Sequence, residues 1–402
     1  MSAAPTLLLA GGGTGGHVFP LLAVAERLTQ ALPQLQLVFI GTERGLETRL
    51  VPAAGYKLEL MSALPFRGVG LGGASRSLVS VAKALPRARD LLRRYQPRAV
   101  LSIGGYAAVP IALGAKLGRI PLALMEPNAQ PGLAQRLAGP GAQRVYTAFA
   151  ETKKYFPKGT VLETGVALRS GFVPRPYGWA GKGQLLHVLV IGGSQGARSL
   201  NELVAPALSR AKVPLAIVHQ VGRGNLAALR QRYAELKRPG ASVIEFIDDM
   251  ASAIANADLV ISRAGAGAIA ELCAIGRPSI LVPLPLSGDH QLHNAQGLEK
   301  AGGAICVPSA SATPELIAER IAELAADPER LARMAESARG WGRPDAAERI
   351  SQDLLRLSGL GTASPSAGQP PAAEPAVESK PPSTTAEAKS EAEPATPAGG
   401  EA

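Results

Sequence analysis

The chain has only two cysteines in 402 residues, Cys273 and Cys306, and both lie in apolar stretches (AELCAIG and GGAICVP) that read as buried helix and strand. A disulfide framework is excluded as the basis of the fold, and a reducing compartment fits. Aromatic residues make up 4% of the chain, which leaves few platforms for stacking nucleic-acid bases. No His/Cys cluster has ligand spacing and no Asp-x-Asp element follows a strand, so neither a metal nor a cofactor is expected. No apolar run approaches the roughly 18 to 20 residues that a spanning helix needs. The amino-terminal MSAAPTLLLAGGG lacks a basic region before its short apolar run and reads as a first strand rather than a signal peptide, so a cytoplasmic chain is expected.

What the chain does have is apolar content of 46% and 45 glycines, enough for a large core in more than one domain. Apolar runs alternate with helical patterns: TLLLA, LQLVFI, YKLELM, AVLSI and PLALM, then LLHVLVI, PLAIVH, SVIEF, ADLVI, PSILVP and GAICV. This rhythm predicts an α/β protein with two doubly wound parallel sheets. Both halves open with a strand running into glycines and a helix, LLLAGGGTGGHVFPLLAVAERL and LLHVLVIGGSQGARSLNELVAPAL. The joint is expected within residues 165–185, which are rich in Pro and Gly. The expected domains are residues 1–170 and 171–342, followed by a helix over 343–359 and a disordered Ala, Pro, Ser and Glu tail over 360–402. A ligand would sit between the two carboxyl-end faces.

The net charge of +10 is unevenly spread. Residues 1–170 hold twenty Lys and Arg against eight Asp and Glu, whereas the tail has six Glu and two Lys. Such a field attracts nucleic acid, anionic lipid or a phosphorylated substrate. Its densest part is residues 64–98, where Asp90 is the single acid among eight basic residues that include Arg76, Lys83, Arg87 and Arg94. Leu64 and Phe66 begin an apolar loop there, and Leu78, Val81 and Leu85 recur at helical spacing. These leucines either pack inward or form an interfacial patch with the cations.

Gly11, Gly13 and Gly16 have the G-x-G-x-x-G spacing directly after a strand, where backbone amides and a helix amino terminus can cradle a diphosphate. A nicotinamide site would also need an acid at the end of the second strand, but LQLVFIGT ends in Gly41 and Thr42. The turn at Gly192, Gly193 and Ser194 has the same context, and a third, at Gly104 and Gly105, either serves a phosphate pocket together with Gly13 or is purely structural. Glu271 lies in a helix after LVISRAGAGAIAEL, placed to accept two ribose hydroxyls or to be an ordinary exposed glutamate. Asp248 and Asp249 read as helix caps. His17, at the entrance of the first helix, is a candidate general base or a neutral donor fixing its loop.

Together these residues resemble one family closely, the UDP-N-acetylglucosamine transferases of peptidoglycan synthesis called MurG, which convert lipid I to lipid II. The resemblance covers residues 5 to about 358 and rests on GGGTGGHVFP, SIGGY, Glu126 to Asn128, GGSQGA, FIDDM, SRAGAGAIAEL and Asp289 to Ala295. It implies two facing Rossmann-like domains (the GT-B fold), an inverting reaction, no protein-bound metal, and a peripheral place on the cytoplasmic face of the inner membrane. It further implies a donor site for UDP-GlcNAc on the second domain. There the Ile247 backbone reads uracil, Glu271 the ribose and Ser194 the diphosphate, while Ala266, Gly267, Ala268, Ile269 and Ala270 line the nucleotide. Gln291 and Asn128 would hold sugar hydroxyls, Thr14, Gly15 and Gly16 would approach from the other side, and Arg169 would steady the departing UDP. His17 is then the favoured base with Glu126 in reserve. The partners implied are UDP-GlcNAc, lipid I and an anionic membrane, with no nucleic acid. Since that acceptor is anchored in lipid, the interfacial reading of Phe66, Arg76, Leu78, Lys83, Arg87 and Arg94 is favoured. The alternatives are a related two-domain enzyme, such as a UDP-N-acetylglucosamine 2-epimerase or a glycolipid glycosyltransferase, and a basic nucleic-acid-binding protein. The chain departs from the family pattern at Pro127, at Val166 and Ala167, and at Ala264 and Ala268, where hydroxyl residues are common.

Overall fold

The computed structural model describes residues 4–361 apart from 44, 62–70, 106, 158, 180, 182, 194–196 and 286–288, and describes 71–80 by their backbone. The first half runs β1 (Thr6–Gly11), α1 (Gly15–Ala31), β2 (Gln36–Gly41), α2 (Glu47–Ala53), β3 (Lys57–Leu60), α3 (Leu71–Tyr95), β4 (Ala99–Gly104), α4 (Ala108–Leu117), β5 (Leu122–Glu126), α5 (Leu133–Ala138), β6 (Arg144–Thr147) and β7 (Val161–Glu163). The second runs β8 (Leu186–Ile191), α6 (Arg198–Arg210), β9 (Leu215–Gln220), α7 (Leu226–Glu235), β10 (Ser242–Ile244), α8 (Met250–Ala255), β11 (Leu259–Ser262), α9 (Ala266–Ile275), β12 (Ser279–Leu281), α10 (His290–Lys300), β13 (Ala304–Cys306), α11 (Pro314–Ala326) and α12 (Pro328–Trp341). A last helix, α13 (Ala346–Leu357), closes the described chain. The tail from residue 362 lies outside the described residues.

The strands form two parallel sheets, ordered β3-β2-β1-β4-β5-β6-β7 and β10-β9-β8-β11-β12-β13. Every predicted strand is present, and the sequence reading missed β6 and β7. Strands covered on both faces read as continuous apolar runs. In β1, Leu7 and Leu9 enter the layer containing α1 and α13, whereas Leu8 and Ala10 enter the opposite layer containing α3 and α4. Each leucine buried in this way contributes about 1.5–3 kcal/mol.

In each sheet the chain winds outward from one central strand and then returns to its other side, so the direction reverses between β1 and β4 and between β8 and β11. Ligands of open parallel sheets bind beyond the strand ends at such reversals. The glycine turns of the sequence lie there, after β1, β4, β8 and β11. The predicted terminal helix returns to the first half: Ala347, Ile350, Leu354 and Leu355 of α13 join the core around α1. Asp353 accepts hydrogen bonds from Tyr146 Oη at 2.9 Å and Arg144 Nε at 3.0 Å, anchoring this return to β6.

Candidate active site

On the first half, β1 delivers Gly12 and Gly13 to the amino terminus of α1, where no side chain caps the helix. The amides of Thr14, Gly15 and Gly16 are therefore left without a side-chain acceptor. His17 Nδ1 lies 2.9 Å from the Gly12 carbonyl oxygen. A carbonyl only accepts, so Nδ1 carries the proton and Nε2 presents a lone pair. Burial pushes the His17 pKa below its ordinary value, partly offset by this hydrogen bond and by the charge of Glu47, so the ring is neutral near pH 7. Gly105, at φ +86°, packs against Gly12 and His17, bringing the β4 turn beside the β1 turn. The Gly13 amide is already committed to Glu47 Oε2 at 2.8 Å, so Gly13 can serve an anion only through the course of its chain.

The β5–α5 loop is held from below and clasped from the other half. Glu126, 2% exposed, accepts from Asn128 N at 3.0 Å, Asn128 Nδ2 at 3.1 Å and Gly132 N at 3.3 Å. Burial raises its carboxyl to about 7 against the pull of these donors. With both oxygens occupied, Glu126 is better placed to hold the loop than to take a proton from an acceptor. Asn128 Oδ1 accepts from Asn294 Nδ2 at 3.1 Å, and Ala129 N donates to Asn294 Oδ1 at 2.9 Å. Gln130 Nε2 donates to His293 Nε2 at 2.9 Å, since His293 Nδ1 serves the Asp289 carbonyl. Gln291, on the same helix, accepts from Leu284 N at 2.9 Å through Oε1, which leaves its amide nitrogen for a ligand.

On the second half, Gln220 holds the β8 turn, accepting from Gly192 N at 3.1 Å and donating to Gly193 O at 3.3 Å. Ser194 lies outside the described residues. Arg263, buried at the end of β11, donates to Val282 O at 3.0 Å and Ser199 Oγ at 2.5 Å, fixing a cation beneath two turns of this half. Ala266, Gly267 and Ala268 open α9 with their first-turn amides uncapped, and Ile269 and Ala270 face inward. Burial raises the partly buried Glu271 to about 7, with the field of Arg169 opposing it. Arg169 rests on the Phe19 ring of α1, 4.4 Å from its centroid, so the hinge cation touches one half and acts on the other. A cavity of about 450 Å³ opens there, lined by Leu22, Glu26 and Tyr56 on one side and Asp248 and Met250 on the other. Ile247, which precedes Asp248 in the chain, is buried at 9% exposure. Asp249 caps α8, accepting from Ser252 N at 3.0 Å, as expected.

On the cationic face, Arg87 and Arg94 both reach Glu59 of β3, at 3.2 and 3.7 Å, so part of the basic charge is paired. The sequence window hid this, because Glu59 lies outside residues 64–98. Lys83, Arg87 and Arg94 are exposed, while Ala84, Ala88, Leu91 and Leu92 turn inward. Phe66 and the side chains of Arg76 and Leu78 lie outside the described residues. Sequence reasoning also missed Glu47, Gln220, Arg263 and Asn294; of these, Arg263 and Asn294 stood inside the quoted motifs.

Two Rossmann-like halves, with glycine turns and uncapped helix starts at both sheet reversals, define the two-domain class of nucleotide-sugar enzymes. Family models for the amino- and carboxyl-terminal domains of glycosyltransferase family 28 match residues 7–147 and 187–350. The chain belongs to that glycosyltransferase family. The UDP-N-acetylglucosamine–N-acetylmuramyl-(pentapeptide) pyrophosphoryl-undecaprenol N-acetylglucosamine transferase of Sorangium cellulosum is 47% identical, over 88% of each chain. The enzyme of that name from Myxococcus xanthus is 40% identical over 87% of this chain and 92% of its own. The crystal structure of Acinetobacter baumannii MurG superposes with TM-score 0.73 at 32% identity, covering 88% of this chain and 99% of that one. The resemblance read from the motifs is thereby borne out. A Neisseria meningitidis UDP-GlcNAc 2-epimerase, at 15% identity and TM-score 0.62, shares the fold alone.

Proposed function

We propose that the protein transfers N-acetylglucosamine from UDP-GlcNAc to the C4 hydroxyl of the MurNAc unit of lipid I, forming lipid II for peptidoglycan synthesis. The observation that carries this reading is 47% identity to a transferase of that name across nearly the whole of both chains. The acceptor hydroxyl gives its proton to Nε2 of His17 as its oxygen bonds to the anomeric carbon. The bond from that carbon to UDP breaks, its electron pair leaves with the diphosphate, and an α-linked donor yields a β-linked product. Glu271 holds the ribose, the Ile247 backbone the uracil, and Ser194 with the uncapped α9 amides the diphosphate. Arg169 and the buried Arg263 supply positive field as charge develops on UDP. Thr14, Gly15 and Gly16 close the cleft from the first half, where Gly104 and Gly105 with the Gly13 turn receive the acceptor diphosphate. Asn128 and Gln291 position the sugar. Residues 1–170 serve the acceptor and 171–342 the donor.

We also propose that the first half rests on the anionic inner face of the cell membrane and does not bind nucleic acid. Among the described residues no helix is long and apolar enough to cross a membrane. Supporting an interfacial seat, Leu117, Leu133 and Leu137 are 78%, 61% and 51% exposed, beside Lys116, Arg119 and Arg136. Incubation with UDP-GlcNAc and a lipid I analogue, followed by mass spectrometry and linkage analysis, tests the reaction. A disaccharide with a β-1,4 bond is expected; release of free UDP with an epimerised sugar and no lipid product would refute it.

A further inference from the structure

We propose that Glu47 is a positioning residue for proton transfer, acting on His17 through the Gly12–Gly13 peptide group. The Gly12 carbonyl accepts from His17 Nδ1 at 2.9 Å, and the N–H of the same peptide unit donates to Glu47 Oε2 at 2.8 Å. In a trans peptide these two groups point in opposite directions, so carboxylate, peptide and imidazole form one hydrogen-bonded chain. Negative charge at one end polarises the peptide and enriches the Gly12 oxygen, which strengthens its bond to the imidazole N–H. The arrangement does, one peptide further away, what an aspartate does for histidine in a catalytic triad: it fixes the tautomer and stabilises the imidazolium.

The site is built for that carboxylate. Glu47 is 1% exposed, and its other oxygen accepts from both Thr42 N and Thr42 Oγ1 at 2.8 Å. A Cβ on Gly12, Gly41 or Gly45 would overlap the Glu47 side chain, so three glycines make its cradle. Among the described residues, Glu47 is the charge that acts on His17. On α1, Glu26 and Arg27 lie roughly two and a half turns further along. Arg169, from the hinge, rests on Phe19, and the β4 turn brings the uncharged Gly104 and Gly105.

This inference rests on His17 as the base, and the test separates the two. In Glu47→Gln, kcat should fall about tenfold while the donor KM stays within about twofold, the pattern of a group acting in the transition state. At saturating donor, where the titration of Glu271 does not enter, the acid limb of the kcat profile should move to lower pH, since the lost charge is one that raises His17. Glu47→Asp, which keeps the charge, should restore the limb toward its wild-type position. Nitrogen-15 NMR of the wild-type imidazoles should show the Nδ1–H tautomer for His17, assigned by its loss in His17→Gln, and this holds whether or not Glu47→Gln folds. Cooperative urea unfolding followed by circular dichroism reports folding of each variant. An Nε2–H tautomer in the wild type, or an unmoved limb and kcat in folded Glu47→Gln, would overturn the proposal. If His17→Ala keeps turnover within about threefold, the base assignment fails. The tautomer and imidazole titration still decide whether Glu47 governs the ring.

Discussion

Lowering the pH from about 8 to about 6 should weaken UDP binding by about tenfold through Glu271. Burial lifts this carboxyl to about 7, and the nearby Arg169 offsets only part of that lift. With such a midpoint, about ten in eleven molecules carry the carboxylate at the upper pH and about one in eleven at the lower. In the proposed ribose assignment the ionised form accepts both hydroxyls, in charge-assisted bonds that contribute roughly 1.5–3 kcal/mol each before desolvation. The terminal phosphate of UDP titrates in the same region, so Glu271→Gln serves as the reference: the effect of the carboxyl is the difference between the two pH slopes in isothermal calorimetry. At pH 8 the variant should bind at least about tenfold more weakly than wild type, a loss within that hydrogen-bond range. Parallel slopes, or equal affinities at the upper pH, would refute the ribose assignment. The sign reverses for stability of the ligand-free protein. A carboxyl raised from 4.5 to about 7 stabilises the fold fully below 4.5 and loses that contribution as the pH climbs through 7. Wild type should therefore lose melting temperature relative to Glu271→Gln across that interval.

His17→Ala should cut turnover by about 10²- to 10⁴-fold in single-turnover assays with little change in the donor KM. Replacing Arg76, Lys83, Arg87 and Arg94 with Gln should weaken binding to anionic vesicles by about 100-fold in a flotation assay. Each cation near such a surface contributes about 1 kcal/mol, less the share neutralised by Glu59. Raised salt should erase the difference. Equal binding at low salt would remove this patch as the membrane seat. Leu354→Ala, which opens a cavity where α13 meets the first-half core, should cost about 2–5 kcal/mol in urea unfolding. A cost below about 1 kcal/mol would show that this helix is not anchored as described.

The sheets were readable because their central strands are covered on both faces, so these appear as apolar runs such as LLLA or LVI. β6 and β7 escaped because they are four and three residues long and begin or end in charge, at Arg144 and Glu163. The glycine turns were equally legible, since a tight strand-to-helix turn leaves a local signature. What holds those turns in place was not. Glu47 meets Gly13 across 34 residues, and Asn294 meets Asn128 across 166, distances over which a single sequence shows no pattern. Arg263 sat inside a quoted motif, yet nothing local distinguishes a buried arginine from a solvated one.

The return of α13 to the first half means that the chain crosses between the halves twice, once through residues 164–185 and again through 342–345. The crossings lie side by side: Gly165 packs against Arg343 and Ala346, and Arg349 donates to the Glu163 carbonyl at 3.1 Å. A single linker would let one half twist or drift relative to the other. A double strap acts as a door hinge, yielding readily to a swing about the line joining the straps and resisting shear across it. The cleft can thus widen to admit a nucleotide sugar and close again in the same register. Asn294 meets Asn128 across the two halves, and a swing about this hinge is the motion that would break that contact and remake it in the same register.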